Sequence, residues 1–335
     1  MKIIVDAMGG DYAPSVPVEA SVQGVKELGI DVVLVGDENK VKAELSKYEY
    51  PTDKITIVHS DDVISNYDEP AKAVKSRKTA SVVVAANLLK NGDGDAMLSM
   101  GSTGALLAAG LLIVGRIKGI ARPALATILP TKKENSPVLL MDAGANTSCK
   151  AENLVQFGVM GDIYMKNVMG LKSPKVGLIN NGEEESKGNE LTKETYPLMK
   201  NAGFNFIGNV EGRDINSGEV DVAVCDGFVG NVVLKTVEGM GLAMSSLVKK
   251  VFMKNALTKF ASLLVMGGLK DFKRAMDYSE YGGAPLLGTK KPVIKGHGSS
   301  NTRAVYSALI QAKKFVETNV IDDIQNSITE VKAND

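Results

Sequence analysis

Two cysteines and two histidines are all this 335-residue chain offers by way of thiol and imidazole ligands. Cys149 and Cys225 have no metal-type spacing and cannot build a disulfide framework. No metal site is expected, and a reducing compartment fits this cysteine usage. An excess of one charge is also missing: 39 Lys and Arg balance 39 Asp and Glu. A net charge of zero argues against a dedicated nucleic-acid binder. No run of about eighteen apolar residues occurs, so no helical bilayer span is expected. The densest apolar stretch, Ala105–Val114, is short, rich in small residues and reads as a buried helix. MKIIVDAMGG passes straight into a strand pattern and a polar turn, without a signal peptide's apolar core. A cytoplasmic protein is expected. No repeat, low-complexity tract or Pro/Ser-rich linker divides the chain. One α/β domain over residues 1–335 is therefore expected.

What the chain has is glycine turns. Six times a run of β-formers ends in a glycine-bearing polar turn that enters a helical pattern. The turns are Asp6–Asp11, Gly101–Gly104, Asp142–Cys149, Asn180–Asn189, Asp226–Asn231 and Gly296–Asn301. In an open α/β sheet such turns collect at strand carboxyl ends, where ligands bind. Glycine admits a ligand close to the backbone, and the N–H groups opening a helix suit an anion. One phosphate-bearing crevice is the expectation.

Strands are expected at Lys2–Val5, Val32–Val35, Ile55–Val58, Ala96–Met100, Val138–Met141, Val176–Ile179, Phe204–Ile207 and Val220–Cys225. Several are continuous apolar runs, as for parallel strands covered on both faces. Helical patterns alternate with them, which predicts a three-layer α/β/α, doubly wound, mostly parallel sheet. Ser245–Met276 departs from the alternation and reads as a helical hairpin joined at Gly267–Gly268. It is basic and amphipathic, with Leu257, Phe260, Leu263 and Leu264 among its apolar residues. Such a segment can rest on an anionic membrane surface or pack in a dimer or core.

Candidate ligands for the crevice are the backbone at Gly9, Gly10 and Gly230, the hydroxyls of Ser102, Thr103, Thr147, Ser299 and Ser300, and the amides of Asn146 and Asn189. Small polar residues in turns also serve simply as caps. Asn231 is either an N-cap or an oxyanion donor. His297 can bind phosphate or protonate a leaving group, whereas His59 follows a strand and reads as structural. Lys187 can neutralise an anion or stand solvated behind Glu183–Glu185. Asp6, Asp11, Asp142 and Asp226 are expected to hold turns or lysines rather than touch phosphate directly. Gly115–Lys133 contains no acid and carries Arg116, Lys118, Arg122, Lys132 and Lys133, a docking candidate for an acidic partner.

VDAMGGDYAP, GSTGALLAAG, GRIKGIARPALATILPT, MDAGANTSCKAENLVQFGVMG, KGNELTKE, FIGNVEGRDI, DGFVGNVVLKTVEG and YGGAPLLG…VIKGHGSSN occur in this order. Together they resemble the bacterial phosphate acyltransferase PlsX family, from the first strand to about residue 320. The resemblance implies transfer of a fatty acyl group from acyl carrier protein to inorganic phosphate, giving acyl phosphate for phospholipid synthesis. It further implies an isopropylmalate-dehydrogenase-like fold, a homodimer and peripheral contact with the inner face of the cell membrane; no cofactor is expected. It matches Lys187 to the family's proposed catalytic lysine, tips Asn231 toward a catalytic role, and makes Arg116, Lys118 and Arg122 candidates for carrier-protein docking. Tyr12 stands where the family often has His.

The chemistry suits these residues. A thioester is already activated and phosphate is an anionic nucleophile, so alignment, an oxyanion donor and help for the leaving thiolate suffice. A phosphotransacylase using acyl-coenzyme A predicts the same crevice with a nucleotide pocket. A decarboxylating dehydrogenase is the weaker reading, because Asp221 and Asp226, five apart on an expected strand, make a poor metal pair.

Overall fold

The computed structural model of the chain describes residues 1–133, 136–269 and 282–333. The described strands are β1 (Lys2–Asp6), β2 (Asp31–Gly36), β3 (Ile55–His59), β4 (Ala96–Ser99), β5 (Ala124–Leu129), β6 (Val138–Met141), β7 (Val176–Ile179), β8 (Phe206–Val210), β9 (Val222–Val224), β10 (Ala284–Leu287) and β11 (Val293–Lys295). They form one sheet in the order β3-β2-β1-β4-β11-β10-β5-β6-β9-β7-β8. All eight expected strands are present. β5, β10 and β11 are additional, and they occupy the centre.

Seven strand pairs are parallel, but β11–β10, β10–β5 and β5–β6 are antiparallel. The sheet therefore reverses in its middle. β1–β4 and β11 run one way, while β6–β9 run the other. The expectation that the six turns share one sheet edge is corrected by this reversal. Turns from the two halves still meet, because β4, β6 and β10 have four residues each, about 13 Å of rise.

Each strand sends alternate residues to opposite faces. Ile3, Val5, Leu98, Ile294, Ala126 and Leu139 join one continuous core. It is covered by α1 (Ser15–Leu28), α6 (Ala151–Asn167), α10 (Thr302–Glu317) and α11 (Val320–Ala333). The opposite face is divided. Ile4, Met97 and Val293 pack beneath α4 (Ser81–Asn91) and α5 (Thr103–Ala109), whereas Leu125, Leu140 and Ala223 pack beneath α8 (Gly227–Phe252). Leu107 touches both clusters at the divide.

Further described helices are α2 (Glu38–Leu45), α3 (Pro70–Ser76), α7 (Glu190–Lys200) and α9 (Ala256–Leu264). The expected hairpin joint is corrected. α8 runs unbroken to Phe252 and the chain breaks at Met253–Asn255, where Asn255 accepts the Thr258 N–H to cap α9. Gly267 and Gly268 are themselves helical. Lys270, Asp271, Phe272, Lys273, Arg274 and Met276 of the same segment lie outside the described residues. Among the described residues no helix is long and apolar enough to cross a membrane.

Candidate active site

The divided face opens into a cleft of about 890 Å³ between α5 and α8. Five of the six glycine turns reach it. Its floor includes Leu125 and Thr127 of β5, Ala284 of β10 and Lys295 of β11.

Local chemistry holds the turns in place. After β6, Asp142 is fully buried. Its Oδ1 accepts N–H bonds from Leu125, Gly144 and Ala145, and its Oδ2 accepts the backbone and side-chain N–H groups of Asn146, all at 2.7–3.1 Å. Burial nevertheless pushes this carboxyl up, against the pull of those donors. The start of α8 presses on the same turn: the Gly227 N–H donates to the Asn146 carbonyl at 2.7 Å. A Cβ on Gly230 would stand 1.8 Å from the Asp142 carbonyl oxygen. Asp226 caps α8 by accepting the Phe228 and Val229 N–H groups. The capping alternative for Asn231 is therefore removed. Asn231 is a turn further on, exposed in the cleft and facing Gly144.

In the other half, the Asp11 N–H donates to the Gly298 carbonyl at 2.8 Å and joins the turns after β1 and β11. Ser99 Oγ donates to buried Asp6 at 2.6 Å. Burial pushes the Asp6 carboxyl up, and these bonds oppose it. His297 Nδ1 accepts the Ser299 N–H at 3.2 Å, which assigns the neutral ring's proton to Nε2. Burial lowers the His297 pKa. Burial also pushes the Cys149 thiol up to about 11 and Cys225 well above the usual thiol range, so neither suits nucleophilic catalysis.

The cleft gathers Gly9, Gly10, Ser102, Thr103, Thr147, Asn231, His297, Ser299 and Ser300. Ser102 additionally caps α5. Four expected ligands are elsewhere. Gly230 is packing, and the Asn146 amide is occupied by Asp142 and the Pro123 carbonyl. Asn189 caps α7. Lys187 is exposed on the turn after β7, outside the cleft, with its carbonyl bonded to Asn180 Nδ2. β9 separates β6 from β7 in the sheet, so that turn is one strand too far out.

His59 is structural, accepting the Glu38 N–H at the start of α2. Arg116, Lys118 and Arg122 are exposed, and Arg122 donates to the Ser148 carbonyl beside the β6 turn. The buried strand β5 separates them from Lys132 and Lys133, so the basic stretch is not one surface. Among the described residues, Glu183, Glu211 and Asp214 gather at the surface, but Arg213 stands 2.6 Å from Glu211 and offsets their charge.

Lys235 and Lys295, both in the cleft, were not among the expected ligands. A three-residue strand such as β11 is too short to show periodicity, so nothing in the sequence marked Lys295 as facing inward.

A family model described as a fatty acid synthesis protein matches residues 1–323. A phosphate acyltransferase of Alkaliphilus oremlandii is 50% identical over 329 residues, covering 98% of each chain. The chain belongs to the phosphate acyltransferase family. A phosphate acyltransferase of Clostridioides difficile is 47% identical, covering 98% of this chain and 96% of its own. This acyltransferase also shares its fold with a phosphotransacetylase from Streptococcus pyogenes, at TM-score 0.64 and 16% identity, over 95% of this chain and 94% of the other. A branched-chain phosphotransacylase from Enterococcus faecalis superposes at TM-score 0.57 and 17% identity, over 95% and 99% of the two chains. A 4-hydroxythreonine-4-phosphate dehydrogenase from Klebsiella pneumoniae does so at 0.51 and 14%, over 94% and 99%. At these identities the likeness shows the mostly parallel α/β fold alone.

Proposed function

We propose that this phosphate acyltransferase takes its acyl group from acyl carrier protein and delivers it to inorganic phosphate. The observation carrying this reading is the cleft, whose lining joins Lys235, Lys295 and the turn hydroxyls to the apolar Leu107, Leu125, Phe228 and Val232. The polar groups suit phosphate and the apolar ones an acyl chain. Arg116, Lys118 and Arg122 form the exposed basic face for the acidic carrier.

In the reaction a phosphate oxygen attacks the thioester carbonyl, the C–O bond forms and the C–S bond breaks. The phosphate proton ends on the departing thiolate. The Asn231 amide faces the carbonyl and donates to its developing oxyanion. His297 gives its Nε2 proton to the departing thiolate and recovers the phosphate proton at the same nitrogen. Lys187 contacts the part of the donor that projects beyond the cleft.

Purified protein with palmitoyl-acyl carrier protein and phosphate is expected to form acyl phosphate. With palmitoyl-coenzyme A as the competing donor, turnover is expected to be lower. Preference for the coenzyme A thioester would replace this donor assignment.

The protein is further read as a homodimer resting on the inner membrane surface. α9 exposes Leu257 (77%), Phe260, Leu263 and Leu264 (76%) beside Lys254 and Lys259. Leu263→Glu removes an apolar contact and adds a charge repelled by anionic lipid. Sedimentation with anionic vesicles is expected to weaken about tenfold or more. Unchanged sedimentation assigns α9 to packing between copies instead.

A further inference from the structure

We infer that Lys295 is the residue that anchors the phosphate nucleophile in the cleft. Register places it there. Asp6 of β1 pairs with Ser99 of β4, Ser99 with Lys295 of β11, and Lys295 with Ala284 of β10. Their strand neighbours Ile4, Met97 and Val293 belong to the core of the divided face, so by alternation this row faces the cleft. The row thus runs carboxyl, hydroxyl, ammonium and methyl. The methyl of Ala284 leaves open space beside the ammonium, and Lys295 and Ala284 both line the cleft.

The charge on Lys295 is poorly compensated from within the protein. Its ammonium donates to the Gly296 carbonyl, a neutral acceptor. Among the described residues no ion pair holds it. Asp6, in the same row, is already engaged by the Ser99 hydroxyl and the Met8 N–H. Lys235, the neighbouring cation, is held by Glu238 at 2.7 Å and is half exposed. A partly buried ammonium without a paired counter-ion is left short of partners, and an anionic substrate supplies the missing one. Gly10, Thr103 and Ser300 line the same pocket, with a backbone N–H and two hydroxyls that can donate to the phosphate oxygens.

Burial lowers the Lys295 pKa to about 8. Asp6 and Asp11 oppose that shift, Lys235 reinforces it, and His297 and Glu238 are the other titratable groups on the adjoining turn and helix. The ammonium is therefore charged below about 8 and lost as pH rises through that value. Phosphate affinity is expected to fall on this alkaline limb. Bound dianion stabilises the ammonium, so the limb for kcat lies at higher pH than the limb for kcat/KM in phosphate.

The inference rests on acyl transfer to phosphate and not on the identity of the thioester. Direct binding of inorganic phosphate, by calorimetry on the intact protein, keeps it separable from activity. Lys295→Met is expected to weaken phosphate binding and raise the phosphate KM at least tenfold. The KM for acyl donor and the melting temperature should hold. Lys295→Arg is expected to retain phosphate binding and move the alkaline limb up by a unit or more. Folded Lys295→Met with native phosphate affinity overturns the assignment, as does an unmoved limb in Lys295→Arg. If wild-type protein binds phosphate through Lys295 but forms no acyl phosphate, the reaction assignment fails and the binding site stands.

Discussion

Asn231→Ala is expected to lower kcat by about 10²–10³, the usual loss for one oxyanion-hole donor. The amide reaches the cleft from the first turns of α8, opposite Gly144. Its removal should lower kcat and kcat/KM for the acyl donor together, because the donor acts on charge that develops only in the transition state. Stability should be unaffected or slightly improved. Asp226, not Asn231, caps the helix, and alanine is a better helix former than asparagine. Steady-state kinetics and a thermal melt of the same preparation check both halves. Activity within a few-fold of wild type removes Asn231 from the site, and a lowered melting temperature makes its role structural.

Asp142→Ala should lose about 3–5 kcal/mol of stability, through donors left buried and unpaired. Five N–H bonds end on this one carboxylate. Two of them tie the turn after β6 to itself through Asn146, and one ties it to β5 through Leu125. Asp142→Asn separates geometry from charge. It can keep the three bonds on one oxygen while setting its amide against the two N–H donors of Asn146. Its loss should fall between alanine and wild type. Urea unfolding of the three proteins measures the series. An alanine variant as stable as wild type means that water replaces the carboxylate and that the turn does not depend on it. Because Gly144 faces Asn231, the alanine variant should also impair catalysis before it unfolds.

Much of the site was legible because its chemistry is local. Gly10, Ser102, Thr147 and His297 lie in turns whose composition announces them, and all four line the cleft. Asn231 shows where locality stops. Its amide reads equally as a cap or a donor until Asp226 is seen to accept the N–H groups that open α8. Lys187 shows the converse. Its turn has the same composition as the others, yet β9 lies between β6 and β7 and sets it outside the cleft. Strand order is a long-range property, and turn composition does not encode it.

By itself the sequence determined eight of the eleven described strands, the alternating helices and the family. Continuous apolar runs, turn residues and ordered motifs are all written in neighbouring positions. Tertiary structure decided the reversal at β10, β5 and β6, the division of one face into two cores, and the inward placement of Lys295. Those three depend on which distant segments exchange hydrogen bonds. A three-residue strand faces the cleft only because of the register its neighbours impose.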